Sequence, residues 1–263
     1  MKLALLSDVH ANHVAFARAI ELSERAGAEG FVLLGDYVCD FPSPQKTFDL
    51  IAALRKKHPA WLIRGNRDEY LVDHRAGKSP GWRDGTATGS LLYTYENLRE
   101  EDFALLESLP ACLEIRIEGH EPFTVCHATP FLSREMIIEN DARISECLAA
   151  VSTDKLFLGH THRTRLFRAG GKAAHFVGSV GTPNGLGGFC QFAFIDDAAG
   201  RWEIEHVTAR YDVESAIAEM DASGLPARAG MWAKAVRIRA RTGKNVFDAL
   251  NRAAWEIACA EGL

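Results

Sequence analysis

The sequence predicts an α/β fold in which two sheets pack face to face with helices outside. Three observations lead there. Apolar strand-like runs alternate with amphipathic helical patterns up to residue 66, which predicts parallel βαβ units. From residue 113 onward, hairpin-like alternation takes over. The chain has 263 residues with 47% hydrophobic content, enough for one large core.

Taken in order, 3–6 is an apolar run that stops at Asp8-Val9-His10. A helix over about 12–26 follows, with Val14, Ala15, Ile20 and Leu22 near one face. The strand at 31–34 runs straight into Gly35-Asp36-Tyr37. Pro42 and Pro44 precede a second helix through Phe48, Leu50, Ile51 and Leu54. Residues 61–63 form a short strand ending in Arg64-Gly65-Asn66-Arg67-Asp68-Glu69. Gly77, Pro80, Gly81 and Gly85 then mark a loop. Helices over 88–98 and 102–109, stopped by Pro110, read as an insertion (about 74–109) over one edge of the core. The hairpin of Leu113, Ile115 and Ile117 with Phe123 and Val125 ends in Cys126-His127. A helix at 141–151 leads to a strand at 155–158 and then Gly159-His160-Thr161-His162. Antiparallel strands are predicted at about 164–169, 173–178, 189–196 and 201–208, with a glycine-rich loop at 178–188. Residues 1–209 are read as the core and 210–263 as a helical extension. That extension has helices at 213–222 and 229–241 separated by a Gly224–Pro226 break. Its last helix starts behind Asn245, with Asp248 in its first turn and a stripe of Val246, Leu250, Ala254 and Ile257.

The net charge of −5 argues against partners held by bulk positive charge, so neither nucleic acid nor membrane is expected. A homo-oligomer is compatible with this composition. Cys39, Cys112, Cys126, Cys147, Cys190 and Cys259 are scattered without a CxxC. They read as small buried hydrophobes in a reducing compartment, not as a disulfide framework. The chain starts directly with a strand and has no apolar stretch of membrane-spanning length, so a cytoplasmic protein is expected.

The chemistry stands at the ends of the apolar strands: Asp8 and His10, Asp36, Asn66, His127, His160 and His162. In open α/β sheets these turns form the binding crevice. A single Asp-X-His is commonly an Asx-turn with a surface histidine. Five separate turns that all deliver nitrogen or oxygen donors are another matter. Imidazole, carboxylate and amide without thiolate suit a divalent ion such as Mn, Fe, Zn, Co or Ni. Seven side chains exceed one tetrahedral ion and suit two ions sharing a carboxylate.

Asp8-X-His10, Gly35-Asp36, Gly65-Asn66-X-Asp68, His127 and Gly159-His160-X-His162 resemble, in order and spacing, the five motifs of the calcineurin-like metallophosphoesterase superfamily. The match covers about residues 1–185. Within the superfamily the chain is most similar to the small bacterial phosphodiesterase or diadenosine-tetraphosphatase-like branch, whose closing loop Gly178-Ser179-Val180-Gly181-Thr182-Pro183 resembles. The resemblance implies a four-layer α/β/β/α sandwich. It places a first metal on Asp8, His10, Asp36 and His162, and a second on Asp36, Asn66, His127 and His160. Asp36 bridges them. Two ions about 3.5–4 Å apart would hold a hydroxide between them and neutralise phosphoryl oxygens.

Many members of that superfamily carry His after the Asn of the third motif, assigned to protonating the leaving group. Here the residue is Arg67. Arginine keeps its proton and is a poor general acid, but it forks phosphate oxygens well. This favours leaving groups that need little protonation. Three other features are weaker. Cys39-Asp40-Phe41 replaces the Asp-Arg-Gly of protein phosphatases. His13 reads as a solvent-facing helix residue. Arg228, Lys234, Arg237, Arg239, Arg241 and Lys244 read as a solvated basic face. The sequence therefore predicts a dinuclear metal-dependent phosphoesterase that hydrolyses a phosphodiester or phosphoanhydride bond of a small, nucleotide-like or other phosphate, with Asp36, Asn66 and Arg67 in the reaction. The alternatives are a phosphomonoesterase or a catalytically silent metal-binding scaffold.

Overall fold

The alternation of strand β1 (Lys2–Leu6) decides the layering of the molecule. Leu3 and Leu5 join Phe123, Val125, Phe157 and Val177 in a core between two sheets. Ala4 and Leu6 turn the other way, into a core shared with helical residues such as Phe16, Ile51 and Val236. Side chains two apart share a face, so one strand serves both layers. The computed structural model describes residues 1–79, 81–86, 88–197, 200–247, 249 and 252.

After β1 come α1 (His13–Arg25), β2 (Gly30–Leu33), α2 (Pro44–Lys57), β3 (Ala60–Leu62), α3 (Asn66–Arg75), α4 (Gly89–Glu96) and α5 (Glu100–Ser108). The second half runs β4 (Cys112–Ile115), β5 (Phe123–Cys126), α6 (Asp141–Ala150), β6 (Lys155–Leu158), β7 (Thr164–Ala169), β8 (Lys172–Val177), β9 (Phe189–Asp196) and β10 (Glu203–Arg210). Helices α7 (Val213–Ala222), α8 (Leu225–Ala229) and α9 (Met231–Thr242) follow. The sheets have the strand orders β10-β9-β1-β2-β3 and β4-β5-β6-β8-β7. Each is mixed. β1, β2 and β3 are parallel, as are β5, β6 and β8, whereas β9 is antiparallel to both β1 and β10, β4 to β5, and β7 to β8. The predicted α/β class, two mixed sheets flanked by helices, is the observed one.

Local chemistry accounts for the helix starts. Asn12 accepts from the Ala15 N–H at 3.1 Å and caps α1, and Asp212 caps α7 through Ser215 at 3.0 Å. Pro44 occupies the first turn of α2, where its missing N–H costs nothing. Pro226 does the same in α8, so the predicted break at 224–226 is confined to Gly224, whose φ is +82°. Helix α3 starts at Asn66, where the sequence reading had only a strand end. The predicted helix behind Asn245, with Asp248 and the stripe through Leu250, Ala254 and Ile257, lies largely outside the described residues.

One expectation is overturned. Cys112 and Cys126 form a disulfide. They are register partners on antiparallel β4 and β5, a pairing that spacing alone does not reveal. Cys39, Cys147 and Cys190 are free and buried, as expected.

The insertion leans on the C-terminal helices. The Gly85 N–H donates to the Arg228 carbonyl at 2.6 Å, and the Tyr93 hydroxyl donates to the Ser223 carbonyl at 3.3 Å. A Cβ on Gly89 would lie 2.0 Å from that same Arg228 carbonyl, so only glycine lets α4 approach α8 this closely. No helix among the described residues is long and apolar enough to cross a membrane.

Candidate metal centre

The parallel strands of both sheets end at one rim. Asp8 and His10 follow β1, Asp36 follows β2, Asn66 follows β3, His127 follows β5, and His160 and His162 follow β6. All seven candidate residues therefore meet there. The backbone is strained to bring them in: Asp8, His10, Asp36, His160 and His162 have φ between +54° and +64°. Left-handed residues other than glycine cost about 1–3 kcal/mol each and cluster at functional sites. Close backbone crossings tighten the turns. A Cβ on Gly65 would fall 2.3 Å from the Asp36 nitrogen, and one on Gly159 would fall 2.0 Å from Ser7 Oγ.

Two donor groups result. One atom each from Asp8, His10 and His162 lies within 4.8 Å of the others, and the same holds for Asp36, His127 and His160. Asp36 stands between the groups. Its Oδ2 is 3.7 Å from His10 Nε2, and its Oδ1 is 3.4 Å from His127 Nε2. Asn66 Oδ1 lies 3.1 Å from His127 Nε2.

The remaining hydrogen bonds aim these atoms inward. His127 Nδ1 lies 2.7 Å from the Leu34 carbonyl and His162 Nδ1 lies 2.8 Å from the Thr182 carbonyl, while His10 Nδ1, which makes no hydrogen bond, faces the Asp40 carboxylate at 3.1 Å. A ring whose Nδ1–H is engaged in this way leaves the Nε2 lone pair for an ion. Asp8 Oδ2 accepts from Ser7 Oγ at 2.5 Å and from the His160 N–H at 2.9 Å, whereas its buried Oδ1 has no hydrogen-bond partner. A buried carboxylate oxygen without a donor, facing converging imidazole nitrogens, is what a divalent cation satisfies. The residues fit a metal centre.

Electrostatics agree. Burial opposes ionisation of Asp8, but the His162 and His10 rings that face it outweigh burial and hold the carboxyl well below its usual range. Burial likewise opposes charging of His127 and His10. Asp36 nevertheless pushes His127 up to about 10, and the facing carboxylates of Asp40 and Asp8 push His10 up to about 9. His160 is pushed down to about 4 by burial and by His127. Without metal, His10 and His127 therefore carry protons at neutral pH that an ion must displace. Metal loading at pH 7 is expected to release about two protons, and affinity should rise with pH until about 10. Calorimetric titration in buffers of different ionisation enthalpy measures this, and heats independent of buffer would refute it.

A domain model of the calcineurin-like phosphoesterase superfamily matches residues 1–197. The chain belongs to this superfamily. No curated protein matches the chain significantly. Among solved structures, a hypothetical protein of Pyrococcus horikoshii OT3 superposes with a TM-score of 0.77 at 20% identity, over 93% of this chain and 99% of that one. A metallophosphoesterase of Sphaerobacter thermophilus gives 0.71 at 23% identity, over 92% and 100%. An archaeal phosphodiesterase gives 0.51 at 15% identity, over 80% and 100%. At these identities the likeness is one of fold. As a calcineurin-like phosphoesterase, the chain is a metal-dependent phosphoric ester hydrolase.

The phosphoesterase motifs now have distinct jobs. Asp68, fully buried, accepts from the N–H groups of Asp36, Tyr37 and Gly65 at 2.8, 3.1 and 2.9 Å. It clamps the Asp36 turn to the start of α3. Asp68→Ala strands three buried donors, so a loss of at least about 3 kcal/mol is expected at about 1 kcal/mol or more per donor. Urea denaturation measures it, and wild-type stability would refute the clamp.

A cavity of about 210 Å³ opens over the centre, lined by His10, Asp36, Asn66, His160 and His162 with Arg67. Its far wall was not foreseen. Asp40, Trp232 and Arg239 line it too. Asp40 is buried and joins His10 to the indole N–H of Trp232, which donates to it at 2.8 Å. The basic run is not a uniformly solvated face. Arg228, Arg237 and Arg241 pair with acidic side chains, but Arg239 is only 8% exposed and its Nη2 lies 2.7 Å from His162 Nδ1. Trp232 and Arg239 are seven apart on α9, two turns of one face, which is the signal that could have found them. His13 pairs with Glu219 at 3.5 Å and does not line the cavity. Among the described residues, neither does any residue of the insertion at 74–109. It packs instead on α8, next to helix α9, whose Trp232 and Arg239 do.

Proposed function

We propose that this phosphoesterase hydrolyses a phosphodiester or phosphoanhydride bond in a small phosphorylated substrate with two divalent ions. Asp8, His10, Asp36 and His162 would hold one ion, and Asp36, Asn66, His127 and His160 the other. The observation that carries this reading is the position of Asp36, whose two oxygens face the two donor groups separately. The ions, when bound, would activate water and neutralise phosphoryl oxygens.

The chain's own groups do the rest. Asp40 and the carbonyls of Leu34 and Thr182 orient the rings of His10, His127 and His162. Arg67, half-buried at the cavity wall with its charge held by Asp40, presents a permanent cation to a phosphate oxygen. No histidine stands at position 67 to protonate a poor leaving group, which supports diesters with good leaving groups or anhydrides over simple alkyl monoesters. The likeness to the archaeal phosphodiesterase is in keeping with this. The test is a panel of monoesters, diesters and dinucleoside polyphosphates, run with Mn, Fe, Zn, Co and Ni alongside metal analysis. Turnover of diesters or anhydrides at about two ions per chain is expected. A preference for monoesters, or no hydrolysis with any ion, would overturn it.

A further inference from the structure

We propose that a second cavity, opening beside the metal centre, binds the organic half of the substrate: a planar, uncharged heterocycle bearing an N–H donor. Met136 offers a face for the ring, and Asn184 offers an acceptor for its hydrogen. This rests on the phosphoesterase reading above and deepens it.

The cavity measures about 480 Å³, within the range of sites for small organic molecules. It shares Met136, Thr161, Asn184 and Asn245 with the cavity over the metal centre, so one substrate can reach into both. Charge divides them. The metal cavity carries Arg67 and the candidate ligands. In the second, the charged side chains among the described lining residues are Glu139 and Arg163, and these pair with each other at 2.9 Å. A further phosphate there would face a carboxylate and a guanidinium already engaged. An uncharged group meets no such penalty.

Met136 is held in place by its neighbours. Its side chain is 62% exposed, although Ile137 and Ile138 next to it are buried in a core with Ile144 and Leu148 of α6. Glu135, on its other side, is forked by Arg143 at 2.7 and 2.9 Å, and the Ser133 hydroxyl is tied to Glu69 of α3. The loop is therefore fastened on both sides of an apolar side chain that stands where the two cavities meet. A polarisable thioether makes favourable contacts with aromatic rings.

Asn184 supplies direction. Its backbone N–H donates to the His162 carbonyl at 2.9 Å, and its Nδ2 donates to the Thr161 carbonyl at 3.1 Å. A carbonyl only accepts, so the second bond fixes which end of the amide is nitrogen. The other end, Oδ1, is buried and has no hydrogen-bond partner. A buried acceptor is costly unless a donor meets it. An N–H on the bound ring is such a donor, whereas a phosphate oxygen or a plain hydrocarbon ring is not.

The test uses the full chain, metal-loaded, with metal content measured for every variant. Calorimetry compares the 5′-monophosphates of the four common nucleosides with phenyl phosphate and methyl phosphate, which share the phosphoryl group and differ in the organic half. At least one nucleotide should bind about tenfold or more tighter than methyl phosphate, with phenyl phosphate between them. Met136→Ala should cut that advantage about fivefold, and Met136→Leu should keep most of it. Asn184→Ala should bring the best nucleotide down to the level of phenyl phosphate. Met136 is exposed, so its variants decide the matter even where Asn184→Ala loses metal. No advantage of any nucleotide over methyl phosphate, phenyl phosphate equal to the best nucleotide in wild type, or an advantage that survives both alanine substitutions would overturn the assignment while wild-type hydrolysis still supports the parent reading. Wild type inactive on every phosphate substrate would instead remove the parent reading and this inference with it.

Discussion

Asp36→Asn is expected to lower turnover by about a thousandfold or more and to deplete both metal positions together. The loss corresponds to several kcal/mol of charge stabilisation when both ions are compromised. The cause is geometric: Oδ2 of Asp36 faces His10 and Oδ1 faces His127. Asparagine is the informative replacement because it tolerates the left-handed backbone at this position, φ +54°. The turn is also held from outside, by the Asp68 clamp on the Asp36 and Tyr37 N–H groups, so the variant should fold. Asp8→Asn is the contrast. Asp8 Oδ1 lies 3.2 Å from His162 Nε2 and 4.0 Å from His127 Nε2, so its loss should fall chiefly on the first position. Elemental analysis and turnover of both variants decide the matter. Full metal content in Asp36→Asn would remove the shared-carboxylate arrangement.

The fold was legible wherever side-chain period tracks burial. The strand at 3–6 and the helix after Asn12 announce themselves, because each must hide one face and cap one end. Cross-strand information was not. Cys112 and Cys126 meet because β4 and β5 are in register, and nothing local to either cysteine reports its partner strand. The start of α3 was also obscured. Residues 64–69 look like loop because chemistry displaces apolar residues there, although Asp68, three residues after Gly65, does accept from the Gly65 N–H as a first-turn carboxylate does.

The candidate donors were legible for a related reason. Parallel strands that end at one rim must place whatever follows them side by side, so residue type and strand order together located seven side chains. Asp40 and Arg239 lack such a cue. Asp40 looked like a missing motif, yet it orients His10 and anchors Trp232. Arg239 was hidden among basic neighbours that pair with acidic residues at the surface, and its contact with His162 spans 77 residues of chain. Burial, which sequence cannot assign to one arginine among several, separates it from them.

Arg67→Ala is expected to cost about 2–4 kcal/mol in transition-state stabilisation on every phosphate substrate, comparable to removing one preorganised donor to a developing charge. The side chain lines the cavity beside Asp36 and Asn66, and Asp40 stabilises its charge against the cost of burial. What holds Asp36 is the backbone of Arg67, whose N–H donates to Asp36 Oδ1 at 2.7 Å. Alanine keeps that bond, so metal content should not change while turnover falls. Arginine also does not titrate near neutral pH, so the wild-type rate profile should lack a basic limb from this position. Arg67→His restores a titrating group. It should recover little on substrates with good leaving groups, improve relative activity on poor ones, and introduce a basic limb as the imidazole loses its proton. The measurement is the slope of log rate against leaving-group pKa for wild type and both variants, with pH profiles for each. A steep dependence in wild type that flattens in Arg67→His identifies a missing acid at this position. If Arg67→Ala follows wild type across the whole series, the guanidinium touches no reacting phosphate, and the role of Arg67 in the reaction is refuted.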